Sequence, residues 1–519
     1  MRRVNSALAC TLAIASASCA WHQVIEPQLH DRHSIPLFSK ATDGHDLKVH
    51  MLNGDLFMLK PWQLTENGDF LVGKGQRFDA QRARVGEGEF WLAVNDIALV
   101  ESSDNATAGM GGASGLAFLT TTFGTLAAVC ALDPKACFGS CPTFYVNGHA
   151  GAPDAEGFSQ SIARVLEARD VDALPNAHPK DGRLSILMRN EALETHAVRR
   201  VRLLAAARPI GSRVLATPDG RFFLSSTLAE PLACQAAEGD CRPALLARDR
   251  NERVSPANPD DLAARETIDL LFPDAPPRAG IVVAARQTLL TTFVFYQTLA
   301  YLGSRAGDWL ATLERGGPAA GNVAMAMARR LGGIEVHVKQ ENGTWCQAGS
   351  YEEAGPIAGD LQVIPIESCA PTPGSPVHVR LRLTQGHWRV DWVALARLDA
   401  SVTPSIHEPD RVEQDGRPQV EALASLRGEG RRLITLPGDS YLISFRLPKP
   451  DARSELEVFL ESEGFYYEWM REEWLRDENP EMARLMFANP DEALRRLAPK
   501  FKAREAHAEE VFWNSRVGR

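Results

Sequence analysis

The 519-residue sequence has no surplus of basic residues: 56 lysines and arginines stand against 66 aspartates and glutamates, a formal charge of −10. Such a chain is repelled by a phosphate backbone, so no nucleic acid partner is expected. There is no Walker loop, no dinucleotide glycine fingerprint after a strand and no HExxH. The common routes to nucleotide, nicotinamide and zinc-protease chemistry are absent with them. No cofactor and no metal are therefore expected. Paired acids such as Asp260-Asp261 and Glu352-Glu353 are neighbours in the chain rather than groups set across a cleft. No internal repeat is evident. What remains is an ordinary globular balance, 45% hydrophobic and 24% charged, enough for about three domains.

The N-terminus is more informative. Arg2 and Arg3 precede an apolar stretch from Ala7 to Ala15, too short to span a bilayer, and small residues lead into Cys19. This is the order of a secretory signal. Two cleavage readings stand side by side. Ala15-Ser16-Ala17 is an A-x-A site for ordinary removal. Ser16-Ala17-Ser18-Cys19 resembles the lipobox of bacterial lipoproteins, with Ser16 where that family prefers a residue such as leucine. The resemblance implies lipidation of Cys19 as the new N-terminus, and Ala20 after it implies sorting to the outer membrane. Lipidation is the preferred reading, because an unpaired cysteine beside the cleavage point is a liability in an oxidising compartment.

Of nine cysteines, six fall in close pairs downstream: Cys137 with Cys141, Cys234 with Cys241, Cys346 with Cys369. In an exported chain such pairs read as disulfides. A metal or redox role for Cys137 and Cys141 is weaker, since their spacing is CxxxC.

Along the chain the expected architecture is mainly β, of the α+β class. Residues 1–19 are a lipoprotein signal and 20–45 a solvated tether carrying His22, His30, His33 and His45. Residues 46–104 read as a small SH3-like or Sm-like β-barrel domain, from short alternating strands. Residues 105–132 carry no charge and are rich in glycine. They are expected as a helical segment within 105–135, packed on the protein or dipping into the membrane. A β-rich domain over 136–260 follows. Residues 261–450 read as a β-sandwich with an inserted helix over 287–315, because Ile334, Val336 and Val338, and Val377, Val379, Leu381 and Leu383, alternate with polar residues. The uncharged run from Gln287 to Ser304 is short and partly polar, which favours a buried helix over a span. Residues 451–519 read as a helical tail, in which Asn479-Pro480-Glu481 and Asn489-Pro490-Asp491 supply N-caps.

Two clusters bear on chemistry. Gly438-Asp439-Ser440 resembles the nucleophile block of Gly-Asp-Ser-Leu hydrolases. It lies late in the chain, and no Asp-x-x-His follows it. Turn chemistry explains it better. The stretch "SEGFYYEWMREEW" concentrates aromatics among acids. Phe465, Tyr466 and Trp469 form a candidate recognition surface for a glycan or partner, against a reading in which they pack a helix onto the sandwich.

The segments "GSCPTFYVNG", "EGFSQSIARVLEARDVDALP" and "LLTTFVFYQTLAYLGSRAGDWLA" resemble stretches of bacterial envelope lipoproteins that carry no assigned activity. The resemblance implies a membrane partner through the lipid anchor and no catalytic residues. The expectation is an envelope lipoprotein with a structural, assembly or ligand-binding role, in the outer membrane facing the periplasm rather than the inner membrane. An envelope protein or a glycan is the further partner expected. The alternative is an envelope hydrolase acting on cell-wall, sugar or ester substrates.

Overall fold

The computed structural model describes residues 28–30, 35, 46–52, 55–78, 84–103, 141–146, 152–315, 325–352, 355–369, 371–469, 474 and 476–516. Within them the chain is mainly β, as its alternation suggests, and five sheets form.

The N-terminal sheet is antiparallel and runs from Gln28–His30 through Ile97–Ser103, Asp46–Met51, Leu56–Leu64 and Phe70–Phe78 to Arg84–Ala93. Leu47, Val49, Leu59, Leu71 and Val100 fill its inner face. Among the described residues no pairing closes its two outer strands into a barrel. Gln28–His30, expected in a solvated tether, instead pairs with Val100–Ser102, and His30 Nε2 lies 2.8 Å from Ser102 Oγ.

The other four sheets stack as layers, and the apolar pattern of their strands says which layers lie inside. Ala279–Gln287 is buried at almost every position. Ile281, Val283 and Ala285 face a sheet carrying Ile268, Leu270, Val336 and Val379. Val282 and Ala284 face the opposite way, toward Leu204, Ala206 and Phe459. A strand covered on both faces needs a continuous apolar run, not an alternating one. The next layer repeats the device: Val201, Leu203 and Ala205 turn their backs on that core and meet Ile186, Met188, Ile443 and Phe445. At about 1.5–3 kcal/mol for each fully buried aliphatic side chain, these three seams are the main source of stability.

The sandwich expected over 261–450 is present, but its boundaries are not. Arg213–Ala216 and Phe222–Ser225 belong to one of its sheets and Ala233–Ala236 to the other. Arg183–Arg189 pairs with Ser440–Arg446, and Glu194–Pro209 pairs with Ser454–Glu468 over its whole length. In the sequence the sandwich is therefore inserted between the two segments that build the adjoining β-rich layer pair. The helical tail begins at Pro480 rather than 451, because Ser454–Glu468 is a strand. Its glutamates find a ladder of arginines across the sheet: Arg208 with Glu455 and Glu457, Arg202 with Glu461, Arg200 with Glu463. Cross-strand pairing overrides the helix preference of Glu and Leu here.

Six helices serve the argument below. α1 (Leu290–Leu302) is apolar around most of its circumference and mostly buried, as a short uncharged run in a core should be. Gly303, at φ +54°, breaks it from α2 (Ala306–Arg315). α3 is Ala326–Leu331 and α4 Val420–Leu426. α5 (Pro480–Ala488) and α6 (Pro490–Asn514) start on the expected caps, Asn479 accepting from Met482 N and Asn489 from Glu492 N. Among the described residues no helix is long and apolar enough to cross a membrane. Residues 105–132 and Cys19 lie outside the described residues, as does nearly all of the signal and tether.

Two of the three expected disulfides form, Cys234–Cys241 and Cys346–Cys369. The third is corrected. Cys141 is a free, buried thiol whose Sγ accepts from Ser159 Oγ at 3.3 Å. Cys137 lies outside the described residues.

Candidate functional site

A cavity of about 650 Å³ opens where the helices meet the sheets. Its floor comes from the last residues of Ser454–Glu468. Alternation along that strand turns Tyr466 and Glu468 to the same side, and both are almost fully buried. Tyr466 donates its hydroxyl to Ser159 O at 3.0 Å. Tyr296 of α1 donates to Glu468 Oε1 at 2.9 Å, so helix and sheet are tied at the cavity floor. A buried carboxylate needs such donors, since an unsatisfied one costs several kcal/mol.

One wall is apolar. Trp309 of α2 and Phe487 of α5 pack ring against ring at 5.7 Å, and Phe295 stands beside them from α1. Met325, Met327 and Met486 complete the wall. Methionine side chains adapt to irregular apolar shapes, which suits a binding surface. A polar part of the lining comes from the outer sheet of the sandwich and the residue after one of its strands: Arg265, Glu335, Gln347, Ser350 and Glu352. Glu335 is held below the usual carboxylate pKa range, burial opposing and the hydrogen bonds of His337 and Arg382 prevailing. Trp388 Nε1 donates to Gly332 O at 3.3 Å, just past the end of Ala326–Leu331.

Behind the floor lies a buried polar layer. His196 Nε2 sits 3.1 Å from Glu194 Oε2. Burial pulls the imidazole down to about 3, against the attraction of Glu468, so it is neutral at physiological pH. Burial pushes the Cys141 thiol well above its ordinary range, and the charge of Glu156 adds to this. Burial likewise carries Glu156 up to about 8. A protonated thiol and a neutral, enclosed imidazole are the opposite of an activated nucleophile and its base. Among the described residues no group of three or more His, Cys, Asp or Glu is arranged to hold a metal ion.

The aromatic cluster divides. Tyr466 does line the cavity. Phe465 and Trp469 are corrected: Phe465 is fully buried on the strand and Trp469 fully buried just after its end, and neither offers a surface. Phe465 packs beside Tyr467 and under Arg432, 5.3 Å from its ring. Trp469 donates Nε1 to Thr195 Oγ1 at 2.8 Å and closes a small core with Leu56 and Phe78. Gly438-Asp439 closes a turn that leads into the strand Ser440–Arg446: Asp439 Oδ2 accepts from Leu436 N at 2.7 Å. Among the described residues no hydrogen bond joins Ser440 to a histidine. The cavity residues that sequence reasoning missed, from Ser159 to Phe487, are scattered over more than three hundred positions and share no motif.

No family model matches the chain, and no curated protein matches it. Among solved structures it is weakly similar to a β-porphyranase of glycoside hydrolase family 86 from the human gut bacterium Bacteroides plebeius. Identity is 9% and the TM-score 0.15, over 45% of this chain and 37% of that enzyme's. A likeness of that size carries no argument about fold or activity.

Proposed function

We propose that the protein is an exported, lipid-anchored envelope protein whose layered body binds a small molecule in the cavity between α1, α2, α3, α5 and the sandwich. The observation that carries the binding reading is the cavity itself. It has the volume of a small-molecule site, a continuous apolar wall and a few convergent polar groups. Behind the floor, Cys141 is held as a thiol and His196 as a neutral, enclosed imidazole, so the two do not make an activated nucleophile and its base, which favours binding over thiol-based hydrolysis. The export reading is supported by Cys19 after a short apolar signal and by two disulfides that suit an oxidising compartment. An anchor at Cys19 would hold the body at the outer membrane, facing the periplasm.

The test is a titration of the purified full chain with N-phenyl-1-naphthylamine, a neutral dye that brightens in apolar surroundings. Saturable binding at one dye per chain is expected, and Ala328→Trp, which places an indole in the cavity, is expected to abolish it. A signal that does not saturate, or one that Ala328→Trp leaves unchanged, overturns the reading.

A further inference from the structure

Arg265 begins the strand Arg265–Asp274 and lines the cavity where the polar wall meets α3. Its guanidinium is half-buried. Nη2 donates to Arg330 O at 3.3 Å, at the C-terminal end of α3, and Nη1 is buried without a hydrogen-bond partner. Among the described residues Arg265 makes no ion pair. Position 332 has been kept clear for it. A Cβ on Gly332 would sit 2.5 Å from Nη2, and Gly332 holds φ +65°, which disfavours any side chain. Burial pulls the guanidinium below its ordinary pKa, the direction expected of a desolvated cation short of counter-charge.

The nearest carboxylates are already engaged. Glu335 accepts from Arg382 at 3.1 Å and from His337 at 3.0 Å, and Glu352 accepts from Ser350 Oγ. They do influence Arg265 through space, and they would repel a ligand carrying two negative charges. A single carboxylate fits better than a phosphate dianion, because the arginine fork matches it in a bidentate pair while total charge stays low.

The apolar part of the lining sets the rest of the ligand. Met325, Met327, Met486, Phe295, Trp309 and Phe487 offer no charge and few polar atoms. At the ~30 Å³ that one liquid water fills, taken also for a methylene, 650 Å³ accommodates about twenty such groups. That is the size of one long acyl chain with its head.

Resting on the binding reading above, we propose that the cavity takes a single-chain fatty carboxylate, its head on Arg265 and its chain along the methionine and aromatic wall. The test uses palmitate and its neutral counterpart hexadecanol to displace N-phenyl-1-naphthylamine from the full chain. Palmitate is expected to displace the dye at a concentration at least tenfold lower than hexadecanol, and Arg265→Gln to erase that advantage while keeping dye binding. Should Arg265→Gln also lose the dye, Arg265→Lys takes its place, expected to keep the charge but give up most of the advantage for want of a fork. Equal potency of the two probes in the wild type overturns the proposal, as does an advantage for palmitate that survives at Arg265→Gln. Either result leaves the dye bound and the binding reading intact; failure of the dye to enter the wild type overturns both.

Discussion

The Tyr296 hydroxyl, on a helix, donates to Glu468 Oε1, on a strand 172 residues further along the chain, at 2.9 Å, both side chains being almost fully buried. This contact joins the helical side of the cavity to the layered sheets. Tyr296→Phe removes one donor from a buried carboxylate and leaves the ring packing in place. A loss of about 1–3 kcal/mol in denaturant unfolding is expected. An unchanged midpoint would show that the bond does not couple helix to sheet.

The thiol of Cys141 should be inert in the native protein. Burial holds it protonated, and only the thiolate reacts. Iodoacetamide at neutral pH is expected to leave Cys141 unmodified until denaturant is added, and peptide mapping to recover Cys234–Cys241 and Cys346–Cys369 as intact disulfides. Labelling of native Cys141 would contradict the buried, protonated assignment.

Glu156 gives a pH dependence with a definite sign. Its carboxyl accepts from Ile357 N at 2.7 Å and has Oε1 3.0 Å from Ser159 Oγ, yet burial raises it to about 8. The folded state therefore keeps a proton that the unfolded chain releases near 4.5. Its contribution is complete below pH 4.5 and declines as pH rises toward 8. Glu156→Gln, which retains the acceptor oxygen, is expected to be destabilised less by a change from pH 5 to pH 8 than the wild type. A wild type and variant whose stabilities run parallel over that window would refute the assignment.

Arg253 is buried within the sandwich and forks onto Glu266 at 2.7 and 2.8 Å and onto Glu238 at 2.7 and 2.9 Å. Removing one member of a buried pair strands the other charge. Glu266→Ala is expected to cost about 3–5 kcal/mol. Glu238 is half-exposed, so Glu238→Ala should cost much less. Equal costs in thermal unfolding would mean that burial does not set the difference.

Much of the layering was readable in local pattern. Ile334–Lys339 and Pro376–Thr384 alternate with period two and became strands of one sheet, and Asn479 and Asn489 capped their helices. The pairing of Arg183–Arg189 with Ser440–Arg446 was not readable, because nothing local marks a partner some 250 residues away. Ser454–Glu468 was misread as helical, since its Glu and Leu favour a helix and only the arginines of Glu194–Pro209 make it a strand. The cavity was the least legible feature. Tyr466 belonged to a cluster visible in the sequence, whereas Arg265, Trp309 and Met486 come together only when the helices dock on the sheets.

The most direct measurement is native mass spectrometry of the full chain extracted from the bacterial envelope. A noncovalent adduct of about twenty non-hydrogen atoms is expected on the wild type and absent from Ala328→Trp, together with a covalent mass increase from acyl groups at Cys19. A chain that carries no adduct in either form, and no acyl mass, would contradict an anchored ligand-binding protein.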